Sequence, residues 1–542
     1  MNNTGSSRGV GTGRSFVILC SVLLGSALLG GLYGSSVRAT AGDPADLQES
    51  IRAFTRVVAV VQQDYAEPID TDKAIYNGAI PGMLRELDPH TVFFDARAYA
   101  TQREDQRGKY YGVGMQVAPR DNHTVVMAPF VGSPAYRAGI RPGDVILKVD
   151  GKPCDGLTTP EVADMLKGPK GTTVHIGIGR EGNPQPLEFT VTRDEIPRHG
   201  VDNPLIVRPG IGYVRVAQFN ETTDHELADA LRDLDYPDLK GMILDLRNNP
   251  GGLLNEGVAV ADMFLDKNQL IVSHHGRASA ERRYYALKGN GGVRVPLVVL
   301  INGQSASASE IVAGAIQDHD RGLIVGETSF GKGLVQTVFT LSEGTGLFLT
   351  TAKYYTPSGR LIQRDYKTTS LWDYHYNRKT PERPTEIKLT DGGRQVTGGG
   401  GITPDVVVAE PKFTSFQTLL FRHRVLGPYE VGVGDFVTYY LGQNPTVTKE
   451  FTADDAVMND FRRFLDKQKI AYTEAELAEN MDWIKRRIKQ EIFLSVFGQA
   501  ESYKVELESD IQLQRAIEEL PQARALYDNA RKLLAQRAGP GQ

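Results

Sequence analysis

The chain has 542 residues, enough for roughly two to four domains with hydrophobic cores of their own. Apolar residues make up 40% of the chain and charged residues 23%, the proportions of an ordinary soluble globular protein. The net charge is -5 and no basic stripe is present, so the composition gives no reason to expect a nucleic-acid partner.

The first forty residues differ in character from the rest of the chain. Arg8 and Arg14 precede the uncharged run FVILCSVLLGSALLGGLYGSS, and Val37-Arg38-Ala39 follows it. Because this order is typical of a secretory signal, we expect residues 1–39 to be a signal peptide that is cleaved after Ala39. The run is also long enough for an uncleaved membrane anchor. Either alternative predicts an exported protein, in the periplasm or tethered to the inner membrane and facing the periplasm.

Residues 44–105 are predicted to be a helical region. The stretches LQESIRAFTRVVAVVQQDY and KAIYNGAIPGMLREL both carry apolar residues at roughly helical spacing. An aspartate at position 70 or 72 is suited to cap the second helix, and Pro81 is expected to kink or divide it. The pattern is typical of a small helical packing unit.

Residues 106–195 are predicted to be a compact, half-open β-barrel. The short runs GVGMQVAP, HTVVMAPF, DVILKVDG, TTVHIGIGR and PLEFTVTRD have the composition of strands, and SPAYRAG and TTPEVADMLKG that of short helices. Cys154 lies here and is the only cysteine left after removal of the signal. One cysteine cannot form an internal disulfide, so we expect the fold to depend on its core.

Residues 200–410 alternate strands and helices, which predicts an α/β domain. IGYVRVAQF, GMILDLRNN, PLVVLING and RGLIVGE are predicted strands, and ETTDHELADALRDL, NEGVAVADMFL and ASEIVAGAIQDH are predicted helices. LFLTTAKYYTPSGRLIQ and ITPDVVVA add further strands. The polar and aromatic stretch DYKTTSLWDYHYNRKTPERP is predicted to be a surface excursion.

Residues 411–542 are predicted to be mostly helical, because three long stretches have amphipathic spacing. Alternating charges on the last helices favour a solvated face. We expect these helices to pack on the core, to mediate self-association as a homo-oligomer, or to bind an adaptor.

The stretch SASASE follows a buried strand, at the edge of the sheet where open α/β folds place their sites. Ser307 is followed three residues later by Glu310, and Ser-x-x-Glu before an apolar helix is a capping box. On this spacing alone, Ser307 is a helix cap. Ser305 and Ser309 are predicted to be packing or capping residues.

Lys332 lies between two glycines in GETSFGKGLVQ, with apolar neighbours that could remove its ammonium from water. A lysine that burial keeps neutral can activate a serine in place of histidine. Gln336 could hold the amine by a hydrogen bond without adding a charge. The alternative is a solvated lysine in a turn.

A second glycine loop, DLRNNPGG, ends the predicted strand GMILDL. The free amides of Gly251 or Gly252, together with the amide of Ala308, could form an oxyanion hole. The alternative for this loop is a tight connection between a strand and a helix.

Four motifs in this order, LDLRNNPGG, SASASEIVAG, GETSFGKGLVQ and YYTPSGRLIQ, resemble the carboxyl-terminal processing peptidases, also called tail-specific proteases. The resemblance covers about residues 44–410. It implies a crotonase-like βα-spiral protease core within the α/β class, with Ser307 as nucleophile, Lys332 as general base and Gln336 as assisting residue. It also implies oxyanion amides from the NPGG glycines and Ala308, and cleavage near the C-termini of exported proteins without a metal or cofactor.

The β-rich segment, YGVGMQV together with SPAYRAGIRPGDVILKVDG, resembles a PDZ domain inserted before the core. The resemblance implies that Gly112, Val113, Gly114 and Met115 bind the carboxylate of a protein substrate's tail, while the tail adds a strand to the sheet.

Two other functions are compatible with parts of this sequence. One is a catalytically inert PDZ scaffold in the cell envelope, against which the intact Ser-Lys-Gln set argues. The other is a crotonase-type acyl-CoA enzyme, against which the PDZ-like insert, the export signal and the lysine argue. The ten histidines form neither HExxH nor another spaced cluster, so metal-dependent hydrolysis is not expected.

Overall fold

The computed structural model describes residues 44–180, 182–202, 204–376, 386–427 and 433–538. The predicted signal peptide or anchor, residues 1–39, lies outside these ranges. The chain divides into two compact units, residues 1–80 and residues 81–542. Within the described ranges, no helix combines the length and the apolar character that crossing a lipid bilayer requires.

The first unit is helical where the structure describes it, as its apolar spacing predicts. Its elements are α1 Pro44–Asp64, α2 Thr71–Ala74, a π-helical turn Ile75–Ala79 and the start of α3 Ile80–Arg85. Asp70 caps α2 by accepting a hydrogen bond from the backbone amide of Lys73 at 3.0 Å. Pro81 lies where the wider π turn gives way to α3, because its ring and its missing N–H do not fit an uninterrupted α-helix. The backbone stays helical through Pro81, so the predicted kink or division is present only as this change from π to α geometry.

The prediction of an all-helical region over 44–105 is wrong at one place. The short strand β1 Val92–Phe94 lies before α4 Ala96–Arg107 and pairs antiparallel with the distant strand Gly346–Tyr355. The ring of Phe94 packs against that of Phe348, with centroids 4.9 Å apart. A strand of this length has no periodicity of its own, so only its distant partner makes it a strand.

Residues 106–195 form the predicted β-rich module with two short helices. Its elements are β2 Lys109–Gly112, β3 Met115–Arg120, β4 His123–Pro129, α5 Pro134–Ala138, β5 Val145–Val149, β6 Lys152–Pro153, α6 Thr159–Leu166, β7 Thr173–Gly179, β8 Leu187–Thr192 and β9 Asp194–Pro197. The main sheet has the order β3-β4-β5-β7-β8, so β3 is an edge strand. Its apolar side chains and those of α6 share one core.

Residues 200–410 form the predicted α/β core. Its elements are β10 Leu205–Arg208, β11 Ile211–Arg215, α7 Thr223–Asp233, β12 Gly241–Asp245, α8 Leu254–Asp262, β13 Leu270–His275, β14 Arg282–Tyr285, β15 Leu297–Ile301, α9 Ala308–Asp318, β16 Leu323–Gly326, β17 Leu334–Thr340, β18 Gly346–Tyr355, α10 Leu371–His375, β19 Glu386–Leu389, β20 Gln395–Gly398 and β21 Val406–Val407.

The central sheet of this core has the strand order β10-β11-β12-β15-β16-β21. β10 pairs antiparallel and the other strands pair parallel. Every residue of β12, β15 and β16 is buried, as expected for parallel strands covered on both faces. Asp245 lies beside Leu300, and Ile301 lies beside Gly326. The loops that follow these three strands therefore leave the sheet at the same edge.

A second sheet lies beside the core and follows the order β1-β18-β13-β14, with β17 paired to β18. β17 begins at Leu334, directly after the Gly-Lys-Gly turn. This sheet therefore carries the predicted general base, whereas the central sheet carries the predicted nucleophile.

The C-terminal region is helical, as predicted. Its elements are α11 Ser415–Arg422, α12 Asp435–Gln443, α13 Asp455–Lys467, α14 Glu474–Glu479, α15 Met481–Phe497, α16 Gln499–Leu507, α17 Ile511–Glu518 and α18 Leu520–Ala538. Helices α11–α15, with Val505 of α16, build a separate hydrophobic core. Helices α17 and α18 instead cover one face of the central sheet, where Leu513 and Leu520 pack with Ile243 and Val298. Packing on the core, one of the three predicted roles, is confirmed.

Candidate active site

Ser307 is the residue that begins α9, and its backbone conformation is unusual. Its φ is +54° and its ψ is -112°, close to the first central position of a type II′ turn, where glycine is the ordinary residue. Such a conformation costs free energy in a residue with a Cβ atom and persists only where surrounding contacts impose it. The strained serine is partly exposed.

The two neighbouring serines are structural. Ser305 and Ser309 are both 0% exposed. The Ser305 hydroxyl donates to the carbonyl of Leu246 at 2.7 Å, and the Ser309 hydroxyl donates to the carbonyl of Asn249 at 3.0 Å. These bonds join the SASASE loop to the loop after β12, and they confirm the packing role predicted for both residues.

Lys332 lies in the loop between β16 and β17, with its amine directed at Gln336. Nζ donates a hydrogen bond to Oε1 of Gln336 at 3.0 Å. The amide nitrogen of Gln336 donates in turn to the backbone carbonyl of His90. Because Nε2 is held by a carbonyl, Oε1 must face the lysine. Burial lowers the pKa of Lys332 below its ordinary value of 10.5, although Asp88 and Glu310 act in the opposite direction.

Glu310 connects the serine to the lysine. Its carboxylate is fully buried and accepts from the backbone amides of Ser307 at 2.8 Å, Gly331 at 2.7 Å and Lys332 at 2.9 Å. The Ser329 hydroxyl adds a bond of 2.5 Å. The Ser307 and Lys332 amides share one oxygen, Oε2, so the backbones of the two residues are fixed next to each other.

Burial and hydrogen bonding shift the pKa of the Glu310 carboxyl group in opposite directions. Burial raises the pKa of Glu310, and the hydrogen bonds from Ser329 and the three amides oppose that rise. The sequence predicted Glu310 as a partner of Ser307 in a capping box, and the bond to the Ser307 amide confirms this. Its contacts with the lysine loop had no sequence signal, because they join residues of different elements.

The glycine loop after β12 lies against Ser307. A Cβ atom at Gly251 would lie 2.8 Å from the Ser307 Cβ atom and 2.9 Å from the Ala308 nitrogen, so only glycine fits there. The Gly251 amide donates to Oδ1 of Asn249 at 2.8 Å and is not free to receive an oxyanion. In the described part of the chain, the amides of Gly252 and Ala308 have no hydrogen-bond acceptor.

His90 and Tyr374 surround the lysine and were not predicted as site residues. Nε2 of His90 lies 2.8 Å from the Tyr374 hydroxyl. The Phe330 ring packs edge-on against both rings, with centroids 6.1 Å and 5.6 Å away. Burial and, after it, the nearby Lys332 lower the pKa of His90 to about 3, so the imidazole is neutral.

Tyr374 corrects the interpretation of DYKTTSLWDYHYNRKTPERP as a surface excursion. This stretch contains α10, and Tyr374 is 1% exposed. The predicted excursion therefore supplies part of the wall around Lys332. Residues 377–384 of the stretch lie outside the described residues.

The predicted carboxylate-binding loop lies at the open edge of the PDZ-like sheet. Val113 accepts a backbone hydrogen bond from Ala135 at 2.8 Å, and the Gly114 carbonyl accepts from the Ser133 hydroxyl at 2.7 Å. Among the described residues, the amides of Val113 and Gly114 have no acceptor. Gly112 ends β2 and Met115 begins the edge strand β3. A peptide could thus add to β3 with its carboxylate at this loop.

Comparison with known proteins agrees with this geometry. Residues 210–369 match the family model of peptidase family S41, and residues 125–180 match that of the PDZ domain. A carboxy-terminal-processing protease of Bartonella bacilliformis is 35% identical over 437 residues, which are 79% of this chain and 90% of that protein. The chain belongs to the carboxy-terminal processing protease family.

Two further members show how widely the similarity extends. A carboxyl-terminal-processing protease of Synechocystis is 42% identical over 292 residues, which are 53% of this chain and 68% of that protein. A carboxy-terminal processing protease of Bacillus subtilis is 33% identical over 387 residues, 69% of this chain and 82% of its own length. The protease is therefore a serine-type peptidase with a PDZ domain, and the predicted α/β fold class with an inserted PDZ domain is confirmed.

Proposed function

We propose that the chain is a Ser-Lys endopeptidase that cleaves exported proteins near their C-termini, with the substrate's tail bound by the PDZ domain. The observation that carries the proposal is the Glu310 carboxylate, which fixes the backbones of Ser307 and Lys332 side by side. The lowered pKa of Lys332 supports its role as a base, since a neutral amine can accept a proton.

The reaction begins with proton transfer from the Ser307 hydroxyl to the lone pair of the neutral Lys332 amine. The serine oxygen attacks the peptide carbonyl, and the amides of Gly252 and Ala308 donate to the oxyanion. The Lys332 ammonium then gives its proton to the leaving amine as the C–N bond breaks. Lys332 activates a water that hydrolyses the acyl-enzyme. No step requires a metal or a cofactor.

Gln336 supports this role of the lysine because its side chain is polar but carries no charge. A neutral primary amine has two N–H bonds and one lone pair. Because Gln336 accepts one N–H, the amine is held while its lone pair stays available, and Gln336 itself adds no negative charge that would stabilise the ammonium.

The PDZ domain is proposed to select the substrate by its end. The edge strand β3 can pair with a strand of extended peptide, and the amides of Val113 and Gly114, which have no acceptor among the described residues, can donate hydrogen bonds to a terminal carboxylate. Recognition of this kind depends on the chain end and a few side chains, so many exported proteins could share it.

Purified Ser307→Ala and Lys332→Ala variants test the dyad on a quenched fluorescent peptide with a free, apolar C-terminus. Both should lose at least about a thousandfold in kcat/KM. Lys353→Ala, an exposed lysine on β18, is the matched control and should cleave normally. Undiminished cleavage by either active-site variant would overturn the dyad.

The sequence also raised an inert PDZ scaffold, which membership of a serine peptidase family argues against. The scaffold function predicts that the wild-type chain binds C-terminal peptides but cleaves neither peptides nor protein tails. Export is a prediction as well, and N-terminal sequencing of the protein from the envelope would test cleavage after Ala39. Sedimentation velocity would test self-association through α11–α18.

A further inference from the structure

Arg247, the second residue after β12, is held between two carboxylates from different parts of the chain. Its Nε lies 3.0 Å from both oxygens of Asp245, and its Nη2 lies 2.5 Å from Oδ2 of that residue. The same Nη2 lies 2.6 Å from Oδ2 of Asp510, and Nη1 lies 2.9 Å from Oε1 of Gln512. Asp510 and Gln512 belong to the C-terminal helical region.

The backbone directly after Arg247 is the glycine loop at the active site. Three of its next five residues have positive φ: Asn248 at +58°, Gly251 at +96° and Gly252 at +149°. A loop with this conformation needs outside contacts to hold it. The Asn249 carbonyl also accepts from the Ala306 amide at 3.0 Å. A displacement of the loop would therefore move the Gly252 amide relative to Ser307.

The contacts of Arg247 are largely shielded from water. Asp245 is 1% exposed, Arg247 12% and Asp510 14%. The Tyr213 hydroxyl donates to Asp245 at 2.7 Å and lies 2.5 Å from the Tyr503 hydroxyl of α16. In such surroundings, ion pairs and hydrogen bonds are stronger and restrict motion more than at the surface.

We propose that Asp510 and Gln512 are positioning residues of the protease: they hold Arg247 and, through it, the loop that presents the Gly252 amide to the oxyanion. This inference rests on the proposed Ser-Lys mechanism. It gives the C-terminal region a part in the reaction through Arg247, without placing Asp510 or Gln512 at the reacting atoms.

Asp510→Asn separates this role from the stability of α17. Oδ1 of Asp510 caps the helix by accepting from the Leu513 amide at 2.9 Å, while Oδ2 binds Arg247. Asparagine caps a helix as well as aspartate does. When its oxygen caps, however, its NH₂ group faces the guanidinium, and two donors repel each other. Asp454→Asn is the matched control, because Asp454 caps α13 through the Val457 amide.

We expect Asp510→Asn to lower kcat on the fluorescent peptide by about tenfold to a hundredfold, as a misplaced catalytic group does. KM and the binding of a C-terminal peptide should change less than about twofold, because the PDZ loop is untouched. Asp454→Asn should match the wild type. In an Arg247→Met background, Asp510→Asn should have no further effect, since the two residues act through one contact.

An unchanged kcat in a folded Asp510→Asn variant would overturn the inference. So would a fall of the same size in the Arg247→Met background. If Asp510→Asn unfolds, Gln512→Met takes its place with the same expected fall in kcat and the same opposing outcomes. Ser307→Ala distinguishes the two proposals, because full activity of that variant would remove the proposed mechanism itself.

Discussion

Gln336 holds the amine of Lys332 without placing a charge beside it. The hydrogen bond of 3.0 Å fixes the amine, and the His90 carbonyl fixes which end of the Gln336 amide faces it. Burial then takes the pKa of Lys332 below 10.5, against the opposing charges of Asp88 and Glu310. Since only the neutral lysine is a base, kcat/KM should rise with pH through this lowered pKa and level off above it.

Gln336→Glu should move the pH range over which kcat/KM rises to higher pH. A carboxylate next to Nζ stabilises the ammonium and raises the pKa of Lys332. At neutral pH, kcat/KM should fall by about tenfold or more, with partial recovery in alkaline buffer. The check is a pH profile of kcat/KM for the wild type, Gln336→Glu and the uncharged Gln336→Met. If kcat/KM rises over the same pH range in the wild type and the glutamate variant, this account is wrong.

Helix α9 fixes the active site through a side chain in its first turn. Glu310 extends from this turn to the loop before β17 and so joins the central sheet to the second sheet. Its two oxygens serve four donors, which an amide with one oxygen cannot replace.

Glu310→Gln should therefore damage both stability and catalysis. Its NH₂ group would face backbone amides, leaving buried donors without acceptors, at a cost of about 1–3 kcal/mol in the free energy of unfolding. Activity should fall at least about a hundredfold, because Ser307 and Lys332 lose their common anchor. Urea unfolding and kcat/KM measure the two effects. Glu476→Gln, in the exposed capping box of α14, should change both far less.

The PDZ loop offers a second test at the scale of an element. Gly114 has a φ of +76°, and a Cβ atom there would lie 2.5 Å from the Ser133 Cβ atom. Gly114→Ala should displace the loop and weaken the binding of a peptide with a free C-terminus by about tenfold, with kcat nearly unchanged at saturation.

Fluorescence anisotropy measures that binding directly. Gly132→Ala is the matched control, since Gly132 has a φ of +78° but no neighbour within 4 Å of its Cβ position. If both variants bind the peptide like the wild type, the loop does not hold the carboxylate.

In the α/β core, the central sheet lies between α9 on one face and α17 and α18 on the other. Residues of α9 pack on one face, and Leu513 and Leu520 pack on the other. At Gly241 the approach is so close that a Cβ atom would lie 2.5 Å from Leu520. The C-terminal helices α17 and α18 are therefore part of the protease core.

Leu520→Ala should lower the free energy of unfolding of the whole core by about 2–5 kcal/mol, because it leaves a cavity against the sheet. Leu533→Ala, on the same helix but at a 36% exposed position, should cost less than about 1 kcal/mol. Denaturant unfolding, followed by circular dichroism and by loss of activity, checks both. Loss of α18 structure while activity persists would show that the helix is dispensable.

Sequence reasoning found the parts of the site whose signals are local. Ser307 follows a buried strand and precedes an amphipathic helix, and Lys332 lies between glycines, so each could be found within a dozen residues. Only the resemblance to a known family indicated that Ser307 and Lys332 belong to the same site. The central strands could also be predicted locally, because β12, β15 and β16 are fully buried and therefore appear in the sequence as apolar runs.

The parts that were missed depend on contacts between distant residues. His90 contacts Gln336 and Tyr374, which lie 246 and 284 residues away in the sequence, and nothing in LDPHTVFF indicates those partners. The amphipathic pattern of α17 predicted a buried face, but not that the face would cover the central sheet. The hydrogen bond from the Gly251 amide to Asn249 could not be predicted either, because the sequence of a glycine-rich loop does not show which amide its own asparagine will bind.

Because helices cover both faces of the sheet, the core is complete only after the C-terminal helices have been synthesised. During synthesis, the strands β12, β15 and β16 and the Ser307 loop emerge long before residues 511–538. Until then one apolar face of a slow-folding parallel sheet has no cover, and Arg247 has no Asp510. A nascent chain is thus expected to lack full proteolytic activity until residues 511–538 have been made and have packed on the sheet.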